Sequence, residues 1–349
     1  MVTLVTSDRA SADLSPDPFL ELGAPPASRC VRVLGADFEF QTASRELARL
    51  VEQAYASVPE HRLSRPAPHF VVRLVEGSLA PARGSESTPR VETLSGGGLL
   101  CGATRASTFA AISPREWSAL IVVSHEMLRR AYHVRYELIE LTVFTLATRV
   151  QELVPLHAAC LGRGGQGLLV MGDSGAGKST AALHGALHGL ELVSEDSVLV
   201  EPESMLATGV ANFLHLHRDA LGFLPSPIAR QLRRFPVIRR RSGAVKLEID
   251  LRRAGLPLAE HPLSIRALVF ADARRARGPL LTRLPNEQVL ARLEGAQPYA
   301  AHRPQWPAFA NRAAMLPAFE LRRGEHPREA AAELATLVAG AREKSPATP

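Results

Sequence analysis

The stretch GDSGAGKS, residues 172–179, constrains this chain more than any other. Two glycines enclose four residues and are followed by a lysine and a hydroxyl side chain, the pattern of a phosphate-binding loop. Each residue type has a physical reason. Glycine lets the backbone take positive φ, so that successive N–H groups turn inward on phosphate oxygens. Lys178 has the reach for β- and γ-phosphates, and the Ser179 hydroxyl can ligate Mg2+. Residues 168–171 form a short apolar run of the buried-strand kind, and a helical pattern opens at Ser179 and Thr180. A bound anion would then face a helix N-terminus. Gly172, Asp173, Ser174, Gly175, Ala176, Gly177, Lys178, Ser179 and Thr180 are therefore the candidate nucleotide-binding residues, and a nucleotide with Mg2+ is the expected ligand.

Such a loop needs an acidic partner for the metal. The next strand candidate, LELVSEDSVLV (190–200), supplies Glu195 and Asp196 after an apolar stretch. Neighbours on a strand point to opposite faces, so one carboxylate can hold the metal while the other, reoriented at a bend, acts as base. Upstream, His157 opens the run HAACLG, and Arg163-Gly164-Gly165-Gln166 reads as a hairpin turn joining it to residues 167–171. An antiparallel pair feeding a phosphate loop differs from the parallel core of ordinary P-loop ATPases. Spacing alone puts His157 near the far end of that pair and not in the site.

Other candidates are weaker. His215 and His217 would share one face of a strand, without an evident third metal ligand. Arg218 beside them is a candidate for steadying charge on a transferring phosphoryl group. His184 and His188, at i and i+4 after the loop, read as exposed. In residues 243–253 an alternating strand puts Lys246, Glu248 and Asp250 on one face. LSGGG (94–98) imitates a transporter-ATPase signature, but it precedes the phosphate loop and reads as a glycine turn.

The pattern along the chain suggests a tail at 1–28, an α+β module at 29–125, a bridging helix at 126–153, a nucleotide-binding module at 154–340 and a second tail at 341–349. Within the first module, 30–34, 37–41 and 69–74 read as strands, 44–55 as an amphipathic helix and 75–90 as a Gly-, Pro- and Ser-rich loop. The Cys30, Cys101 and Cys160 thiols are widely spaced and form no CxxC pair, which suits a reducing cytoplasm rather than a disulfide framework. The most apolar helical stretch, 138–150, is interrupted by polar residues and falls short of the roughly 20 needed to span a membrane. Net charge is +6, with arginines crowded into 230–246. That run can attract an acidic partner. It lacks the interleaved aromatics of a nucleic-acid surface.

His157, the hairpin, GDSGAGKS and the following LVSED (192–196) together resemble the catalytic domain of the HPr kinase/phosphorylase family. The likeness covers about forty residues closely and the 154–340 module loosely. It implies an α/β (α+β) fold: a P-loop catalytic domain with a mixed sheet, shared with phosphoenolpyruvate carboxykinases, here preceded by a smaller α+β domain. It implies Mg-ATP, with Lys178 and Ser179 on phosphates and metal, Asp196 as metal-binding acid, Glu195 as general base and His157 assisting it. The acceptor it implies is a serine hydroxyl of a protein or peptide.

The chain departs from the family in three ways. A glutamate stands where the family has an aspartate base. GAVKLEIDLRR (243–253) stands where a Gly- and Ile-rich signature is expected, and the N-terminal module differs from the family's regulatory domain. HPr as substrate, reverse phosphorolysis and hexameric assembly therefore lie outside what the likeness implies, and the oligomeric state stays open. The chain is more similar to divergent HPr-kinase-related proteins found beside peptide-modification systems, some of which phosphorylate a peptide serine. A small-molecule hydroxyl kinase and a non-catalytic ATP-gated binding module are the alternatives.

Overall fold

The computed structural model describes residues 27–77, 92–103 and 108–343. Most of the expected N-terminal tail, most of the 75–90 loop and the last six residues of the expected C-terminal tail lie outside the described residues.

The first sheet holds β1 (Ala27–Val33), β2 (Ala36–Thr42), β3 (His69–Gly77), β4 (Glu92–Gly96), β5 (Leu99–Ala103), β6 (Phe109–Ser113) and β7 (Ser118–Ser124). Among the described residues their order is β1-β2-β3-β7-β6-β5-β4, with β2, β3 and β7 parallel and the remaining pairs antiparallel. Alternation in β2 sends Phe38 and Phe40 into the core, where Phe38 meets Phe70 at 4.8 Å between ring centroids. Gly97 and Gly98, both at positive φ, make the β4–β5 turn, so LSGGG is a hairpin tip as its glycines suggest.

Helix α1 (Arg45–Tyr55) is capped by Ser44, whose side chain accepts from the Leu47 N–H. A cap of this kind contributes about 1 kcal/mol. The buried face of α1, Leu47, Leu50, Val51, Ala54 and Tyr55, is the one its periodicity predicts.

The bridging segment is not one helix. It runs as α2 (His125–Leu128), α3 (Ala131–Val134), a π-helical turn (Arg135–Glu140) and α4 (Leu141–Val150). Arg130, at φ −108° and ψ 53°, breaks the first part. The π turn buries Arg135 with Leu138 and Ile139. Hydrophobic periodicity could not reveal this, because a core position is occupied by an arginine.

The second sheet contains β8 (Val154–His157), β9 (Ala159–Arg163), β10 (Gln166–Met171), β11 (Glu191–Ser194), β12 (Ser197–Glu201) and β13 (Leu206–Gly209). A three-stranded antiparallel sheet follows, with β14 (Phe213–Leu216), β15 (Val237–Arg239) and β16 (Val245–Asp250) in the order β14-β16-β15. The long β17 (Leu263–Arg275), β18 (Leu281–Arg283) and β19 (Ala318–Arg323) complete the second sheet. That sheet is mixed: β17 is parallel to both β10 and β19, while β9 is antiparallel to β10 and β11. Helix α5 (Lys178–Leu187) and the C-terminal helix Pro327–Glu343 pack on one face, and Asn286–Ala296 and Trp306–Ala313 bury apolar residues on the other. The architecture is mixed α/β, as expected.

Candidate active site

The Gly-rich loop 172–177 leaves β10 and runs into α5. Gly172, Gly175 and Gly177 sit at φ 143°, 83° and 105°, in the region open to glycine. Gly172 is also pinned by space, since a Cβ there would lie 2.4 Å from the Ala271 carbonyl oxygen. Lys178 is buried and donates to the Gly172 and Asp173 carbonyls at 2.7 and 3.2 Å. Burial lowers its pKa against the upward pull of Asp196 and Glu195. Arg323, at the end of β19, donates to the Gly175 carbonyl and ties the far side of the loop to the sheet. Asp173 and Ser174 are exposed, Ala176 is buried, and Thr180 is half-buried at the start of α5.

Glu195 and Asp196 occupy the bend between β11 and β12, so the chain breaks the strand where the two carboxylates must diverge. Glu195 is buried. Its Oε2 accepts from the Ser179 hydroxyl at 2.7 Å, and its Oε1 accepts from the His215 backbone N–H at 3.0 Å. Asp196 turns the other way. Its Oδ1 lies 3.0 Å from His157 Nδ1, and its Oδ2 accepts from Arg240 at 3.0 Å. Burial acts to raise the Asp196 pKa. The His157 hydrogen bond and the Arg240 charge outweigh it and hold this carboxyl well below the usual range.

His157 enters by a route that spacing did not suggest. It is not the first residue of the strand paired with β10. It ends β8, opposite Ser197 of β12, and the chain crosses at Ala158 to begin β9. The crossing is tied down by the Ala158 N–H donating to the Asp196 carbonyl at 3.1 Å. Gln297 donates to the His157 carbonyl and accepts from its N–H, at 3.0 and 2.8 Å. The family resemblance implies His157 assisting Glu195 as base, with Asp196 on the metal. The structure pairs His157 with Asp196, and Ser179 with Glu195.

Behind Glu195 lies a buried ionic cluster. The His215 ring places Nδ1 3.5 Å from Glu195 and Nε2 3.4 Å from Glu248. Burial would lower the His215 pKa, but hydrogen bonds to these two carboxylates raise it above the ordinary value. Glu248 also accepts from Arg135, which donates to Glu140 as well and lies 4.0 Å over the Phe213 ring. A chain of charged side chains thus joins the π turn to the phosphate loop.

Several expectations need correction. His215 is buried in this cluster, whereas His217 is exposed past the end of β14. No group of three or more His, Cys, Asp or Glu that could hold a metal occurs among the described residues. Arg218 is exposed at the start of the 3-10 turn Arg218–Phe223, and the guanidinium beside Asp196 belongs to Arg240. His184 is buried rather than exposed, and burial pushes its pKa down to about 4. Arg240, Tyr136, Gln297 and Arg135 were not singled out as site residues. Only Arg240, inside the arginine run, carried any signal.

Two hollows adjoin the carboxylates. One, of about 250 Å³, is walled by Glu195, Asp196, His215, Tyr55 and Asn212 with apolar side chains of α4. The other, about 380 Å³ and more open, lies between Tyr132, Tyr136 and Glu137 on one side and Arg240 and Arg241 on the other.

No helix among the described residues is long and apolar enough to cross a membrane. No protein-family model and no curated protein matches the chain. Among solved structures, the Hpr(Ser) kinase/phosphatase from Coxiella burnetii aligns with 54% of this chain and 91% of its own, at 16% identity and a TM-score of 0.28. A likeness that distant assigns no activity to this chain. The loop and its two carboxylates are what a function must be built from.

Proposed function

We propose that this protein is a Mg-ATP-dependent kinase that transfers the γ-phosphoryl group to a serine hydroxyl of a peptide or protein. The observation that carries the reading is the divergence of two adjacent carboxylates, Glu195 onto Ser179 and Asp196 onto His157 and Arg240.

Ser179 Oγ and Glu195 Oε2 are hard oxygen donors 2.7 Å apart at the head of the loop. They fit Mg2+, which takes a few protein oxygens and fills its remaining positions with water and phosphate. When bound, the ion offsets charge on the β- and γ-phosphates. Lys178 exchanges the loop carbonyls for phosphate oxygens. Asp196, kept ionised, accepts the proton as the serine oxygen bonds to phosphorus and the bond to the ADP oxygen breaks. His157 orients this carboxylate, and Arg240 is placed to move from it to the phosphoryl oxygens. The roles of Glu195 and Asp196 are thus the reverse of those that the resemblance implies.

The test is γ-³²P-ATP transfer to serine peptides, host lysate and small alcohols. Label on a peptide or protein, lost in Lys178→Ala, is the expected result. Label on small alcohols alone would make the 250 Å³ hollow the acceptor site and the enzyme a small-molecule kinase. Tight ATP binding with no transfer to any acceptor would leave the binding module. A backbone change should also be felt. Gly172→Ala forces a Cβ against Ala271 at a φ only glycine takes readily. That strain costs about 1–3 kcal/mol. Calorimetry should read it as ATP affinity weakened about 5- to 150-fold.

A further inference from the structure

Asp196 is held from a third direction, besides His157 on Oδ1 and Arg240 on Oδ2. The Tyr136 hydroxyl donates to Asp196 Oδ2 at 3.4 Å and accepts from Arg240 at 2.9 Å. A phenol has a single proton to give. With its oxygen taken by the guanidinium, that proton is directed to the carboxylate. Burial, and next the Asp196 charge, push the Tyr136 phenol well above its ordinary pKa, so it remains a donor.

The Tyr136 ring is packed on three sides. It stacks on Tyr132 at 5.5 Å between centroids with the planes 11° apart, and it meets the His215 ring edge-on at 5.7 Å. The Arg240 guanidinium lies 5.3 Å from its centroid. Tyr136 is also the second residue of the π turn, a rare geometry that recurs at functional sites. The residue before it, Arg135, bonds Glu248, which lies against His215 behind Glu195. Two successive side chains of one turn thus reach the surroundings of both carboxylates. Arg240 is held differently. It stands in the β15–β16 turn, which is closed by its own N–H to the Ala244 carbonyl at 2.8 Å, with Gly243 at φ 85°. A long side chain on a turn is free to leave Asp196, whereas a ring wedged between two others stays.

We propose that Tyr136 is a positioning residue for Asp196: its hydroxyl keeps the carboxylate aimed when Arg240 turns to the phosphoryl group. The proposal rests on the phosphotransfer reading and adds a residue to it. Tyr136 acts through the carboxylate and takes no proton itself. Without it, Asp196 would lose its last partner on Oδ2 at the moment the guanidinium departs, and the carboxylate would be free to rotate about the His157 contact. A misaimed base costs rate and leaves nucleotide binding alone.

The experiment uses Tyr136→Phe on the full chain, which removes the hydroxyl and keeps the ring stack. Single-turnover γ-³²P transfer at saturating Mg-ATP should fall about 3- to 10-fold, the worth of one hydrogen bond. ATP affinity, read by calorimetry, should stay within about twofold of wild type. A merely structural role would weaken both. The loss should persist in Arg240→Ala and disappear in Asp196→Ala, where no carboxylate is left to hold. Full transfer in Tyr136→Phe overturns the proposal. So does a loss that disappears in Arg240→Ala and persists in Asp196→Ala, because the hydroxyl then acts on the guanidinium. Urea unfolding supplies a readout that needs no transfer. Tyr136→Phe and Asp196→Ala together should lower the midpoint by less than the sum of the two single changes, since both remove the same contact. Additive midpoints overturn the contact. If wild type labels no acceptor while the midpoints stay non-additive, the hold on Asp196 stands and the kinase reading alone falls.

Discussion

Asp196→Asn is expected to lower phosphoryl transfer by about 10²- to 10⁴-fold while leaving ATP binding nearly intact. The amide keeps the shape of the carboxylate between His157 and Arg240 but takes no proton from an attacking hydroxyl. Glu195→Gln should behave differently, because it weakens an oxygen that sits on Ser179. Its loss should appear as weaker Mg-dependent ATP binding. Single-turnover transfer and calorimetry, run on both variants, separate the two roles. Normal turnover in Asp196→Asn, with turnover lost in Glu195→Gln at saturating ATP, would restore Glu195 as the base and Asp196 as the metal-binding acid.

Asp196 has a second signature. Its folded pKa lies below the usual carboxylate value of about 3.9. The stability it contributes is therefore fully present above about pH 4 and is lost as pH falls through the folded value. Asp196→Asn should flatten that acid limb in a denaturation series.

Arg135→Ala is expected to be the most destabilising single change, at about 3–5 kcal/mol. The side chain is 1% exposed and donates to both Glu140 and Glu248. Removing it takes the guanidinium from a buried carboxylate, Glu248, and from the partly buried Glu140. The pKa shifts agree on the cost. Burial lifts Glu140 above the ordinary range despite Arg135, while Glu248 stays below it only because His215 and Arg135 outweigh burial. Urea unfolding of Arg135→Ala, beside a triple variant Arg135→Met, Glu140→Gln and Glu248→Gln, checks this. The triple variant should recover much of the loss, because the uncompensated charges are gone. A single variant as stable as wild type would show that the cluster is far wetter than its burial implies.

Local chemistry made much of this legible. Glycine pairs announced the β4–β5 and β9–β10 hairpins, Gly172 to Ser179 announced the loop, and α1 showed its buried stripe. The bend at Glu195 and Asp196 was foreseeable because two acidic groups interrupt an apolar run. What was hidden was nonlocal. Arg240 reaches Asp196 across 44 residues, and Gln297 holds His157 across 140. No periodic pattern encodes such meetings. The crossover at Ala158 hid the place of His157, which the sequence reads as the first residue of the strand HAACLG rather than the last of β8. His184 misled for a simpler reason: a polar residue on a helix reads as surface until its partners are known.

The Arg135 cluster also bears on how such a chain can be cut and recombined. Its cation comes from the segment before the phosphate-loop half, and Glu248 and His215 come from within that half. A fragment starting at β8 would inherit Glu248 with His215 beside it but with Arg135 left behind. Transplanting the phosphate-loop half onto another scaffold therefore requires carrying the π turn with it, or neutralising Glu248 at the same step. By the same logic, replacements at Arg135, Glu140 and Glu248 should be tolerated together and rarely one at a time.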